Sequence, residues 1–385
     1  MKNRKKKEKS NRSNVRFLCF TGTVLLLSAG CSISIWRTPD RTYSSQERRM
    51  LEERPSFTKK SVLKGKFQQK YEVYLTEQFP GRDQWVTLQT KLSRLLGNKD
   101  ANGVYFGKDG YLLERYQEQD FDWAKVEENI ENTVSFLQAY PQAKVMFVPV
   151  KSSVMKKKLP LFAQISGEER FYELAEQIPE NQQIFVSEAL KEHEHEYIYY
   201  RTDHHWTTRG AYYAYELWAR EMGFEPLPQE AFQITEVCDT FLGTTFAKVR
   251  TDGHADTISL YERKNGPAYE VDYNMGEFQS ESCYDLTKLS GDDPYSVFFG
   301  GNQAVADIRM KGAQEDGKTL LVIKDSFGNC FAPFAANHYA RTVVVDLRYV
   351  NVPVSALLRV YPADDILILY NSAQFMEDRE IHKLK

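Results

Sequence analysis

Leu320-Leu321-Val322-Ile323-Lys324-Asp325-Ser326-Phe327-Gly328-Asn329 is the stretch on which the reading of this chain turns. An unbroken apolar run of this length predicts a buried strand, here Thr319 to Ile323, and strands covered on both faces belong to parallel sheets. A short turn follows, then a helical run near Asn329 to Tyr339, and Gly328 suits the tight turn between them. The same alternation continues with short strands at Thr342 to Val345 and Ile366 to Tyr370. Upstream, Val126, Ile130, Val134 and Leu137 mark one face of a helix, and Lys144 to Val148 reads as a strand ended by Pro149. The expected fold class is therefore α/β, a mainly parallel sheet covered by helices.

The rest of the chain arranges itself around that core. Residues 101–385 are expected to form the main domain, opened by a hairpin in which two β-prone runs between Asn102 and Leu113 flank a Lys-Asp-Gly turn. From about 237 to 292 the pattern breaks into short β-like pieces such as Thr257 to Tyr261, suggesting a small β-rich insertion. Residues 37–60 are polar and read as a stem. Trp85, Leu88, Leu92 and Leu95 predict helices over about 61–97 that pack on the main domain, with Gly97-Asn98 as a stop.

The N-terminus predicts topology. Residues 1–16 carry a net charge of +7, which leaves −10 for the remainder of a chain of net charge −3. Phe17 to Trp36 holds no charged residue, and twenty residues at about 1.5 Å each span a hydrocarbon core of roughly 30 Å. A basic tail before such a segment places residues 1–16 in the cytoplasm, 17–36 in the membrane and the bulk outside. The alternative is a signal segment ending at Ser28-Ala29-Gly30-Cys31, which looks like a lipoprotein processing site with lipidation at Cys31; it too leaves the bulk outside. The acidic remainder argues against nucleic acid as a partner. Cys238, Cys283 and Cys330 form no CxxC pair, which excludes zinc ribbons and dithiol redox motifs. A bond between Cys238 and Cys283 is left open.

Two further stretches carry chemistry. Tyr200-Arg201-Thr202-Asp203-His204-His205-Trp206-Thr207-Thr208 precedes a helical run from Ala211 to Met222. A carboxylate two residues before an imidazole can fold back onto its Nδ1–H and leave Nε2 free as a base. Asp203 and His205 suit that pairing, and Ser326, at a strand's carboxyl end beside a helix N-terminus, suits a nucleophile. Phe298-Phe299-Gly300-Gly301-Asn302 ends in glycines that let the backbone approach another group, and the Asn302 amide suits an oxyanion donor. Gly301, Arg201 and Tyr370 complete the expected substrate-binding set, with Arg201 suited to a substrate carboxylate or simply to a surface acid. Lys151-Ser152-Ser153 reads as a further pocket loop. Two other readings stay open: a metal-dependent hydrolase built on His193, His195, Asp203, His204 and His205, and a non-catalytic glycan-binding surface protein.

The Asp-His-His-Trp string at 203–206 with Lys-Asp-Ser-Phe-Gly-Asn-Cys-Phe at 324–331 resembles the bacterial DHHW proteins. Gly-Lys-Asp-Gly-Tyr-Leu at 107–112 and Phe-Pro-Gly-Arg-Asp at 79–83 extend the likeness over nearly everything after the apolar segment. That family is similar to the periplasmic alginate O-acetylation proteins, whose SGNH-hydrolase-like domain carries an Asp-x-His-Trp motif before the nucleophilic serine. The resemblance implies a three-layer SGNH-hydrolase-like domain of permuted motif order, with Asp203, His205 and Ser326 as its triad. It further implies acetyl transfer to a cell-surface polysaccharide with a membrane-bound O-acyltransferase as acetyl donor; the polymer is left open, alginate being a poor fit, and no cofactor or metal is expected.

Overall fold

Strand Thr319–Lys324 lies in the middle of an eight-stranded sheet, as its continuous apolar run requires. In the computed structural model, which describes residues 17–385 apart from 27, 31, 35–36, 45–48, 252–253 and 315, this strand pairs in parallel with Arg341–Val345 on one side and Asp365–Asn371 on the other. Beyond Asp365–Asn371 come Ala143–Val148 and Gln183–Ile184, also parallel. On the opposite flank Val305–Met310, Tyr269–Tyr273 and Phe278–Ser280 extend the sheet antiparallel. The expected α/β class with a mainly parallel sheet is what the chain adopts.

Alternation along each strand sorts its side chains between two faces. Leu320, Val322, Leu367 and Leu369 join Met146 and Val148 in one core, completed by the helices Thr208–Glu221 and Gly328–Ala335. Leu321, Ile323, Ile366, Ile368 and Tyr370 join the other, with Val126, Ile130, Phe136 and Leu137 of helix Trp123–Ala139. Helices thus cover both faces. Asp122 caps that last helix, its carboxylate accepting from Lys125 N–H at 3.4 Å.

The hairpin is present: Val104–Phe106 pairs with Leu112–Glu114 around a Lys108–Gly110 turn in which Asp109 and Gly110 take φ of 55° and 78°. Within 237–292, Phe232–Phe241 and Asp256–Arg263 form a separate two-stranded ribbon, whereas Tyr269–Tyr273 and Phe278–Ser280 are edge strands of the main sheet.

The chain divides into two compact units, residues 1–91 and 92–385. In the first, Thr58 and Ser61 form a capping box for Lys59–Leu63, and Lys66–Glu77 buries Tyr74, whose hydroxyl donates to Asp40 at 2.7 Å. Helix Arg82–Leu95, anticipated from its apolar spacing, ends at Gly97, φ 85°. Phe17–Ser34 is, among the described residues, one helix long and apolar enough to cross a membrane, with mean hydropathy 1.8. The basic segment 1–16 and Cys31 lie outside the described residues.

Candidate functional site

The turn after Thr319–Lys324 is fastened by its own acid. Asp325 accepts from Phe327 N–H at 2.8 Å through one oxygen and from Asn371 N–H at 2.8 Å through the other, tying the turn to the end of the next strand. Burial pushes the Asp325 carboxyl up to about 6, against these donors. Gly328 fits because a Cβ there would press on the Lys324 stem, 2.6 Å away. Ser326 sits half-buried at the top of this turn.

The loop bearing the two histidines is clamped from both sides. The buried Asp256 carboxylate accepts the N–H groups of Arg201 and Thr202, each at 2.7 Å, and the hydroxyls of Tyr197 and Thr202, each at 2.5 Å. From the other side Lys151, 3% exposed, donates to the carbonyls of Tyr200 at 3.1 Å and Asp203 at 2.6 Å. Burial pushes its ammonium down to about 8. Trp206 closes the loop: it is fully buried, and its indole N–H donates to Phe327 O at 3.1 Å, joining the 203–206 loop to the 325–328 turn.

Between these anchors three side chains stand in series. His205 Nδ1 lies 2.5 Å from Asp203 Oδ1, which also accepts the His205 N–H at 3.0 Å. His205 Nε2 lies 2.7 Å from Ser326 Oγ. The second Asp203 oxygen accepts from Thr244 twice, from N–H at 2.7 Å and from the hydroxyl at 3.0 Å. Burial alone would raise the Asp203 carboxyl; the adjoining His204 and His205 and these hydrogen bonds outweigh it and hold the group well below the usual carboxylate range. Gly243 is the only residue type that fits its position, since a Cβ would run into the Asp203 side chain.

His204 has a different fate. With the Thr244 hydroxyl donating to Asp203, His204 donates Nδ1–H to that hydroxyl at 2.7 Å. Burial, reinforced by His205, pushes its pKa down to about 4, so the ring is neutral at pH 7. Asp203, His204 and His205 present ligand atoms within 4.8 Å of one another, a set of the right donor types for a cation. Yet both His205 nitrogens already face protein partners, Asp203 and Ser326. His193 is elsewhere, stacked on Tyr213 with 3.5 Å between centroids, and His195 is exposed.

Phe299, Gly300 and Gly301 take φ of 58°, 67° and 106° in succession, and a phenylalanine in that region costs about 1–3 kcal/mol. The kink presents Asn302, whose Oδ1 accepts from Asn329 Nδ2 at 3.0 Å and from Lys324 Nζ at 3.5 Å, so its amide nitrogen is the end left to donate. Among the described residues the Ser326 N–H has no assigned acceptor. A relay of carboxylate, imidazole and hydroxyl beside such N–H donors has the parts for activating the hydroxyl and holding an oxyanion.

Of the expected binding residues, Arg201 is flanked by aromatic rings and Tyr370 faces away from the relay. The Arg201 guanidinium lies over Tyr197, 4.7 Å from the ring centroid, and 5.7 Å from that of Tyr111. Tyr370 is fully buried against Phe375 in the opposite core, and its strand neighbour Asn371 is the residue that reaches the Asp325 turn. Cys238, Cys283 and Cys330 are separate free thiols. Thr244, Tyr295 and Asp256 were not singled out from sequence; Thr244 follows a Gly at a helix start, a weak capping signal, and the other two carry no local motif.

The family model of the DHHW proteins matches residues 171–345, a span that contains Asp203, His205 and Ser326. Over that span, less than half of the chain, the sequence resembles the DHHW proteins. Its DHHW string, residues 203–206, is the buried loop described above. A DHHW family protein from Eubacterium siraeum superposes with a TM-score of 0.61 at 21% identity, over 74% of this chain and 95% of that one. Bacillus cereus PatB1, solved with a sulfonyl adduct, gives 0.60 at 20% identity, over 72% and 97%. The O-acetyltransferase domain of Pseudomonas putida AlgJ is a looser match, 0.38 at 14% identity over 72% and 93%. No curated protein matches the chain. The first two likenesses establish a shared fold.

Proposed function

We propose that this chain is a cell-envelope serine acyl-transfer enzyme, an O-acetyltransferase or acetylesterase acting on a surface polysaccharide. The single observation that carries the reading is the unbroken path Asp203 Oδ1 to His205 to Ser326 Oγ, with links of 2.5 and 2.7 Å. Both are within the reach general-base activation of a hydroxyl needs. In this reading Ser326 Oγ attacks the acyl carbonyl carbon while His205 Nε2 takes its proton, and Asp203 holds the resulting imidazolium. The Ser326 N–H and the Asn302 amide donate to the oxyanion. Collapse expels the donor alcohol, which takes the proton from His205. An acceptor sugar hydroxyl then gives its proton to His205 and attacks the acyl-serine carbonyl; collapse breaks the bond to Ser326 Oγ, which takes the proton back from His205, and the sugar leaves as an ester, while water in its place makes the enzyme an esterase.

The acyl donor in this proposal is a membrane-bound O-acyltransferase working beside the same bilayer. The apolar helix Phe17–Ser34 behind a tail of net charge +7 supports a single span with the folded body outside.

The test uses the full-length chain in detergent and an activated acetyl ester. Turnover is expected to fall about a thousandfold or more in Ser326→Ala and in His205→Ala. A sulfonyl adduct is described for PatB1, and a sulfonyl fluoride is expected to add here at Ser326, read as a mass shift on its peptide. Equal turnover in wild type and Ser326→Ala would remove the proposal.

A further inference from the structure

The short helix Lys151–Val154 and the helix Glu168–Ala175 border a cavity of about 140 Å³ that the relay does not use. That is room well beyond one water molecule. Ser152 lines it, is 1% exposed, and its hydroxyl has no hydrogen-bond partner among the described residues. Tyr172 also lines it, and its buried hydroxyl is equally without a partner there. A buried hydroxyl without a partner is unfavourable, and two among the residues of one cavity wall are donors awaiting an acceptor.

The acceptor side is Glu168, a buried carboxylate held in place by Val150 N–H at 2.9 Å and the Ser372 hydroxyl at 2.5 Å. Glu169 adds a second acid, and Lys156 and Lys191 offset the two, so the lining has no net charge. The Tyr172 ring supplies apolar surface. Donors, acceptors and a ring face without net charge fit hydroxyl groups on a small ring better than a carboxylate or phosphate. Ser152 also lines the small crevice against His204, and its neighbour Lys151 holds the Asp203 carbonyl, so an occupant would sit against the helix that steadies the relay.

We propose that this cavity binds a neutral polyhydroxylated ligand of about one sugar ring, hydrogen-bonded by the Ser152 and Tyr172 hydroxyls and by the Glu168 carboxylate. The binding stands apart from the acyl-transfer reading; only the identification of the ligand as a piece of the polysaccharide substrate rests on that reading.

The experiment is saturation-transfer NMR on the full-length Ser326→Ala chain in a non-glycosidic detergent, with glucose and N-acetylglucosamine as probes and glucuronate as the anionic comparison. Saturable transfer from the neutral sugars is expected, weakened about tenfold when Ser152→Ala or Tyr172→Phe is added. Both added substitutions remove an unpaired hydroxyl, so folding is retained, as a thermal melt would verify. The proposal is overturned by absence of saturable transfer, which would mean hydration only, by affinity unchanged in either added variant, or by preference for glucuronate. Because Ser326→Ala does no acyl chemistry, failure of the acyl-transfer reading leaves this result readable.

Discussion

The Tyr295 ring lies flat on the His205 imidazole, 4.0 Å between centroids and 11° between planes, while its hydroxyl donates to Ser326 O at 3.1 Å. One buried side chain therefore holds the imidazole's face and the backbone of the hydroxyl it meets. Such a stack is worth about 0.5–1.5 kcal/mol beyond the area it buries. Tyr295→Leu is expected to lower turnover of an activated acetyl ester about tenfold, and Tyr295→Phe, which keeps the stack, to lower it less. Equal losses in the two variants would show that the hydroxyl alone matters.

Asp203 fixes which His205 nitrogen carries the proton. In Asp203→Asn the amide can present N–H to Nδ1, which would leave the proton on Nε2 facing Ser326 and unable to accept. Turnover is expected to drop about 10⁴-fold with the fold intact. Steady-state kinetics beside a circular-dichroism melt would check this; a loss below tenfold would mean that His205 is oriented by something other than Asp203.

Gly243 reports on the same carboxylate from behind. Gly243→Ala drives a methyl into the Asp203 side chain, and a shift of about 1 Å in a reacting group costs about a hundredfold. The variant is expected to fold and to lose activity on that scale. Wild-type turnover in Gly243→Ala would show that the Asp203 position is tolerant.

His204 predicts acid lability. Its folded pKa is about 4, against about 6.5 for an unperturbed histidine. Between those values the unfolded chain binds the proton and the folded chain does not, so stability from this group is full above pH 6.5 and is lost as pH falls towards 4. The loss is about 3 kcal/mol at one pKa unit per 1.36 kcal/mol. In His204→Gln, urea titrations at pH 7 and pH 4.5 should show a smaller drop than in wild type; an equal drop would assign the lability to other groups.

The sheet was readable because buried parallel strands leave unbroken apolar runs, and Leu320 to Ile323 is one. Asp203, His205 and Ser326 were readable because their chemistry is local: a carboxylate two residues from an imidazole, a hydroxyl at a strand end. Thr244, Tyr295 and Lys151 were not marked as partners, since each meets the loop only through contacts spanning tens of residues. Tyr370 departs from the expectation by one step of strand alternation; the side chain at 370 enters the far core while the backbone at 371 meets Asp325. No spacing rule foretells that Tyr197 and Tyr111 flank the Arg201 guanidinium.

Asn329 lies in the helix that begins two residues after Ser326, and its side chain grips Asn302 at 3.0 Å. Whatever thermal sway the Ser326 turn undergoes, that grip ties Asn302 to the same helix, so in the proposed acyl transfer the nucleophile and the amide assigned to the oxyanion would move together rather than apart.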